Sequence, residues 1–224
     1  GVYYNGIKVD LTNTLAQRIH SNYGTDTILN IENVIGSTKS DYIVGNDENN
    51  ILDGKDGNDY FVLGKGIDTI LGDIGNDTIA FSNDASRTAG VIVDLSKNQT
   101  YGSLDTYRVI NDGFGNAKYL DSIENVIGTK YDDIIFGNSD SNTLIGGAGD
   151  DTLIGGTGTD VASYETSTSG IKVDLTQINN FQVTDDGLGG RDKLSGIDTI
   201  VGSDYADTFK GGTNSDTFIG GLGD

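Results

Sequence analysis

The sequence predicts an all-β fold, a solenoid of short stacked strands, and three observations carry that prediction. Acidic or amide side chains recur every nine residues in three trains: Glu32, Asp41, Asn50, Asp59, Asp68 and Asp77; Glu124, Asp133, Asn142, Asp151 and Asp160; Asp198, Asp207 and Asp216. All 14 positions carry Asp, Asn or Glu, residues that make up about a quarter of the chain, so chance does not produce the pattern. Two residues after each comes an apolar side chain: Val34, Ile43, Leu52, Phe61, Ile70, Ile79; Val126, Ile135, Leu144, Leu153, Ala162; Ile200, Phe209, Phe218. Glycines punctuate the intervals. A fixed short period means that each repeat cannot bury its own apolar face and must stack on its neighbours.

Each nonapeptide divides into a six-residue turn and a three-residue strand. The glycines supply the positive φ that such turns demand, and a strand that short is stable only in a stack. Two nonapeptides make one flattened coil, and coils stack about 4.8 Å apart through parallel ladders. Side chains 18 residues apart then share one edge, giving the columns Asp41–Asp59–Asp77, Asn50–Asp68, Asp133–Asp151, Asn142–Asp160 and Asp198–Asp216.

A longer repeat contains the trains. Gly6-Ile7-Lys8-Val9-Asp10-Leu11 recurs as Gly90-Val91-Ile92-Val93-Asp94-Leu95 and Gly170-Ile171-Lys172-Val173-Asp174-Leu175. Each alternates apolar with polar, as a half-buried strand does. Polar segments (12–24, 96–117, 176–191) follow, then Ile31-Glu32-Asn33-Val34-Ile35-Gly36, Ile123-Glu124-Asn125-Val126-Ile127-Gly128 and Ile197-Asp198-Thr199-Ile200-Val201-Gly202. Three units result: 1–89 and 90–169, each a VDL strand, loop and roll, and a shorter 170–224. The nine-residue register slips between trains, so each VDL strand and its loop are expected to interrupt the roll or bulge from it. Residues 12–20 are the best candidate for a short helical turn.

The turns Gly54-Lys55-Asp56-Gly57-Asn58-Asp59, Gly72-Asp73-Ile74-Gly75-Asn76-Asp77, Gly146-Gly147-Ala148-Gly149-Asp150-Asp151 and Gly155-Gly156-Thr157-Gly158-Thr159-Asp160 read G-(G/x)-x-G-x-D. With the following apolar residue they resemble the GGxGxDxUx nonapeptide of the RTX (repeats-in-toxin) family, a calcium-binding repeat. The turns Gly45 to Asn50, Gly137 to Asn142 and Gly202 to Asp207 lack the second and third glycines. The resemblance implies a parallel β-roll with inserted VDL strands and polar loops, several Ca2+ ions, and export by a type I secretion channel that passes an unfolded chain. It implies metal ligation at Asp41, Asn50, Gly54, Asp56, Gly57, Asp59, Gly64, Gly66, Asp68, Gly72, Gly75 and Asp77 in the first train. In the second it implies Asp133, Asn142, Gly146, Gly147, Gly149, Asp151, Gly155, Gly156, Gly158 and Asp160, and in the third Asp198, Asp207 and Asp216.

Composition agrees. A net charge of −20 opposes nucleic acid and anionic membrane surfaces and favours cations. There is no Cys, so no disulfide or thiolate site, and no apolar run long enough to span a bilayer. The missing Met, and a C-terminus that stops inside a nonapeptide at Gly220-Gly221-Leu222-Gly223-Asp224, lead us to expect a piece of a longer protein.

Two unscreened carboxylates about 6 Å apart repel by roughly 3 kcal/mol at an effective dielectric near 20. A hard cation between coils reverses that sign. Calcium suits it, accepting six to eight oxygens in irregular geometry, whereas magnesium demands a stricter octahedron; zinc prefers His or Cys, and one His and no Cys are present. At a Kd of about 0.1 mM, about 1 mM calcium adds about 1.4 kcal/mol per site. Five such sites add about 7 kcal/mol, comparable to a domain's whole stability. The expectation is a chain unfolded at cytosolic calcium and folded outside the cell.

Other residues take structural readings. Glu32 and Glu124 are expected to hydrogen-bond at coil starts. Asp10, Asp94 and Asp174 are expected on a solvated strand face, and His20 in a solvated loop. Asp73 and Asp150, like Asp56, sit inside turns and stand as second carboxylates. Asn50 and Asn142 divide evenly between ligation and turn formation. Asp112-Gly113-Phe114-Gly115-Asn116 and Asp185-Asp186-Gly187-Leu188-Gly189-Gly190 read as turns without an EF-hand's spacing. Phe61, Phe209 and Phe218 fill the core; Tyr3 and Tyr23 lie on the surface.

No H-E-x-x-H, nucleophile elbow, P-loop or dinucleotide fingerprint occurs, and the acids are periodic where a catalytic pair is singular. The first reading is a non-catalytic calcium-binding structural module of a secreted or cell-surface bacterial protein, of adhesin or surface-layer type. Two others remain: an accessory roll of a secreted enzyme or toxin, and a subunit of a self-assembling extracellular fibre. Calcium is the expected partner, with self-association or a cell-surface polysaccharide as further contacts.

Overall fold

Nine-residue spacing in the sequence becomes nine-residue spacing of strands. In the computed structural model, which describes residues 5–20, 24–96, 108–177, 180–213 and 215–223, the first train gives Asn33–Ile35, Tyr42–Val44, Ile51–Asp53, Tyr60–Leu63, Thr69–Leu71 and Thr78–Phe81. The described residues form strands, turns and bends and contain no helix. Tyr3, Tyr23 and residues 97–107 of the second polar loop lie outside the described residues.

The chain forms two compact units, Gly1–Arg87 with Lys97–Asn125, and Thr88–Ser96 with Val126–Asp224. In the first, successive strands fall alternately into two parallel sheets. One stacks Lys8–Asp10, Tyr42–Val44, Tyr60–Leu63 and Thr78–Phe81; the other stacks Asn33–Ile35, Ile51–Asp53, Thr69–Leu71 and Tyr119–Asp121. Register follows the 18-residue coil, with Ile43 opposite Phe61 and Phe61 opposite Ile79. In the second unit one sheet holds Ile92–Asp94, Ile134–Phe136, Thr152–Ile154 and Lys193–Ser195, and another holds Thr143–Gly147, Val161–Ser163, Thr199–Val201 and Thr217–Ile219. A third joins Val183–Asp185, Lys172–Asp174 and Thr208–Lys210, with the first pair antiparallel.

Along the first two trains, the apolar residue two places after each clocked position points inward. Ile43, Leu52, Phe61, Ile70, Ile79, Ile135, Leu144, Leu153 and Ala162 are all fully buried. Burial of each large side chain is worth about 1.5–3 kcal/mol, and it sets the register, because a one-residue slip would turn the whole stripe outward. Phe209 and Phe218 depart from the expected core role. They are only half-buried, stacked on each other at 4.8 Å.

Two expectations need correction. The VDL strands do not interrupt the roll or bulge from it: each pairs in parallel with a nonapeptide strand, Val9 opposite Ile43, Val93 opposite Ile135 and Val173 opposite Phe209. Their central valines are at most 4% exposed and extend the inner stripe, so the polar loops absorb the register slip. Residues 12–20 form no helical turn. The Asp10 carboxylate accepts from the Thr12 amide and hydroxyl, Asn13 accepts from the Leu15 amide, and Gln17 pairs antiparallel with Asp26. Such local side-chain bonds compete with helix formation.

The inward stripe makes a direct prediction. Ile70→Ala, at a fully buried site, should cost about 2–5 kcal/mol of unfolding free energy. Ile74→Ala, 73% exposed on a turn, should change it by about 0.5 kcal/mol or less. Denaturant titrations of both variants in calcium check the contrast; equal losses would mean the stripe is not the core.

Candidate metal centres

The clocked acids lie where turn meets strand, and nine of them are buried. Asp41, Asn50, Asp59, Asp68, Asp77, Asp133, Asn142, Asp151 and Asp160 are each at most 1% exposed. The predicted columns form, and backbone hydrogen bonds tie them together. The Asp41 amide donates to Asp59 Oδ1 at 2.8 Å, Asn50 to Asp68 at 2.9 Å, and Asp59 to Asp77 at 2.7 Å. Asp133 donates to Asp151 at 2.8 Å and Asn142 to Asp160 at 2.9 Å. Where the nine-residue register slips, other acids continue the columns: Asp77 donates to Glu124 Oε2, Asp151 to Asp192 and Asp160 to Asp198. Glu124 is thus a hydrogen-bond acceptor at a coil start, as expected.

One carboxylate oxygen is committed to the ladder, and the second sorts the sites into two classes. In the four G-x-x-G-x-D turns, Oδ2 of Asp59, Asp77, Asp151 and Asp160 is buried without a hydrogen-bond partner. It lies over the first glycine of its own turn: a Cβ on Gly54 would come within 2.1 Å of Asp59 Oδ2, and one on Gly146 within 2.1 Å of Asp151 Oδ2. A Cβ on Gly72 would meet both Asp77 Oδ2 and the Ser122 carbonyl, and one on Gly155 both Asp160 Oδ2 and the Gly196 carbonyl. These cradles are lined by oxygen and open only because no side chain fills them.

In the remaining turns the protein seals that oxygen itself. Ser37 donates its amide to Asp41 Oδ2 and its hydroxyl to Asp41 Oδ1. Thr129 does the same for Asp133, and Ser203 for Asp207. The Gly212 amide reaches Asp216 Oδ2. Asn50 and Asn142 accept from the Asn46 and Asn138 amides. Backbone conformation separates the classes. The second turn residue is left-handed in every open turn, Lys55 (φ 73°), Asp73 (φ 62°), Gly147 (φ 105°) and Gly156 (φ 111°), whereas in the sealed turns that residue donates its amide inward. A first-position glycine together with a fourth-position one, Gly54 with Gly57, Gly72 with Gly75, Gly146 with Gly149 and Gly155 with Gly158, marks the open class in the sequence.

Asp68 forms a case of its own: its turn glycines are Gly64 and Gly66, and its Oδ2 pairs with the ammonium of fully buried Lys118 at 2.8 Å. The other expected residues are peripheral. Asp56 and Asp198 are exposed, Asp73 faces Lys55, and Asp150 is paired with Arg191 at 2.7 Å. Asp10, Asp94 and Asp174 fold back on Thr12, Ser96 and Thr176. Sequence reasoning missed Asp53, whose Oδ1 is a further orphaned oxygen, and two separate buried charged residues, Lys118 in the first unit and Asp192 in the second. An internal alignment of 111–128 with 185–202 would have found the last two.

The donor set fits a hard cation. Among the described residues no three acidic or histidine side chains converge, so an ion here draws on one or two carboxylates and on turn carbonyls. Calcium accepts that mixture. Burial pushes Asp59 up to about 6, Asp77 up to about 7 and Asp151 up to about 9, against the pull of the ladder amides. Asp68 and Asp160 are raised by the same cause.

Those shifts set a pH dependence. An unfolded carboxylate titrates near 3.9, so the folded, cation-free roll binds more protons than the unfolded chain between that value and about 6 to 9. Stability from these groups is full below the unfolded value and lost as pH rises through the folded one. With calcium chelated, the folded fraction should therefore fall from pH 5 to pH 9, and saturating calcium should flatten the slope. A chelated folded fraction that rises over this window would contradict the site electrostatics.

Comparison with known proteins gives one finding and one absence. The RTX calcium-binding nonapeptide repeat matches in four copies, at residues 31–61, 53–85, 127–162 and 192–224. A search of curated proteins finds no match. The matched segments cover more than half of the chain and contain all four open turns, and the chain belongs to the RTX calcium-binding nonapeptide repeat family.

Proposed function

We propose that this chain is a calcium-dependent structural module, non-catalytic, of a secreted or cell-surface bacterial protein of adhesin or surface-layer type, folding after export. Its RTX repeats are calcium-binding repeats of a kind typical of secreted bacterial proteins. The observation that carries the proposal is the set of four buried, unpartnered Oδ2 oxygens at Asp59, Asp77, Asp151 and Asp160. An unpaired buried carboxylate is strongly destabilising. A calcium ion supplies the compensating charge and couples folding to metal.

The residues that would hold it are these four aspartates with carbonyls of the glycine turns. The sealed turns of Asp41, Asp133 and Asp207 keep their coils tied without metal, through Ser37, Thr129 and Ser203. No helix among the described residues is long and apolar enough to cross a membrane. Periodic acids, each bonded to the next coil, have the character of a scaffold, and this supports a non-catalytic role.

Far-UV circular dichroism during calcium titration of chelated protein tests the proposal. A coil-to-β transition at about 0.1–1 mM calcium, absent with magnesium and reversed by chelator, is expected. A β spectrum indifferent to chelation would overturn it.

A further inference from the structure

Two loops outside the nonapeptide turns are copies of one another, and they differ at one decisive place. Residues 111–128 align without a gap on 185–202, setting Asp112 against Asp186, Asn116 against Gly190 and Lys118 against Asp192. The loops share their geometry. Asp112 Oδ1 accepts from the Phe114 and Asn116 amides, each at 2.9 Å; Asp186 Oδ1 accepts from Leu188 at 2.7 Å and Gly190 at 2.8 Å. Gly113 and Gly115 have φ of 79° and 93°, and Gly187 and Gly189 have 75° and 104°. Val109 bridges Lys118 as Val183 bridges Asp192.

In the first unit the Lys118 ammonium occupies the space beneath this loop. It contacts three oxygens: the Gly66 carbonyl at 2.8 Å, Asp68 Oδ2 at 2.8 Å and Asp112 Oδ2 at 3.1 Å. Their counterparts in the second unit are the Gly149 carbonyl, Asp151 Oδ2 and Asp186 Oδ2. Both of those carboxylate oxygens are buried and unpartnered, and Asp151 and Asp186 are 0% exposed. The ammonium is gone, because position 192 is an aspartate. Asp192 turns away, accepting from the Asp151 amide through Oδ1 and from the Tyr164 hydroxyl through Oδ2, and adds a third buried negative charge. A Cβ on Gly190 would lie 2.0 Å from the Gly149 carbonyl and 2.8 Å from Asp186 Oδ2, so the two oxygens border one void.

We infer that the space between Asp151 Oδ2, Asp186 Oδ2 and the Gly149 carbonyl is a calcium site built by the 185–192 loop, and that Lys118 is the internal cation closing the matching site of the first unit. The inference rests on the calcium reading above and gives the site at Asp151 its second carboxylate, from outside the nonapeptide turns. Three buried carboxyl groups with no cation among them weaken the fold, and a cation placed between them offsets that cost. The donors are all oxygen, one a backbone carbonyl, a hard set that calcium accepts without the strict octahedron magnesium demands. The first unit shows what that position holds when chemistry permits: a positive charge, supplied by the chain.

Counting bound calcium on the full chain by equilibrium dialysis tests this. Asp186→Asn keeps the Oδ1 acceptor of the loop and replaces the orphaned oxygen with a neutral amide. It should bind one calcium ion fewer per chain than the unaltered protein, with the β spectrum in calcium unchanged. Asp192→Lys, which transplants the internal ammonium, should also bind one fewer. If the unaltered chain binds several ions and Asp186→Asn binds as many, the inference is overturned and the calcium module stands. If the unaltered chain binds none, the calcium module itself falls. Magnesium bound to the unaltered chain, and lost in Asp186→Asn, would overturn the choice of calcium.

Discussion

Most steps of the first two trains hang on a buried carboxylate that accepts the backbone amide of the coil beside it. The bond from Asp41 to Asp59 is repeated from Asp59 to Asp77, from Asp133 to Asp151 and from Asn142 to Asp160. It fixes the 18-residue register together with the apolar stripe. It also places negative charge where water does not reach. The two consequences are inseparable, because the geometry that makes the amide bond short is the geometry that buries the second oxygen. The roll therefore needs a counter-charge as a condition of its stacking.

The chain meets that condition itself in two ways and leaves a third set of sites open. Hydroxyl residues and backbone amides seal the turns that open each train, at Asp41, Asp133 and Asp207. A lysine serves Asp68 and Asp112. The four glycine-rich turns leave Oδ2 bare. The sealed steps lie beside the VDL strands: the Ile7, Val91 and Ile171 amides donate to Asp41, Asp133 and Asp207. Metal dependence is thus concentrated in the later turns of the first two trains, and the VDL strands join the roll at steps that need no ion.

Much of the architecture was legible from two periods in the sequence. The nine-residue clock foretold the strands and their burial, since an inward residue at every third strand position leaves a mark that composition cannot hide. Exposed and half-buried positions were less legible. Phe209 and Phe218 carry the inward pattern but are only half-buried, and a residue's own sequence does not say how many coils cover it. The helical expectation for residues 12–20 failed because Asp10 and Asn13 bond locally to the backbone, a competition that polar composition does not reveal.

The sequence by itself determined the solenoid, the strand register, the inner apolar stripe and the positions of the acids, because each follows from a repeat measured along one chain. Tertiary structure alone decided which acids are satisfied and which are bare. Ser37 and Asp41 are neighbours in sequence, yet Asp68 and Lys118, or Asp151 and Asp186, come together only when polar loops of unequal length return the chain to the same edge of the roll. A carboxylate's partner is set by what stands across the ladder, and that is a property of the stack, which no single nonapeptide contains.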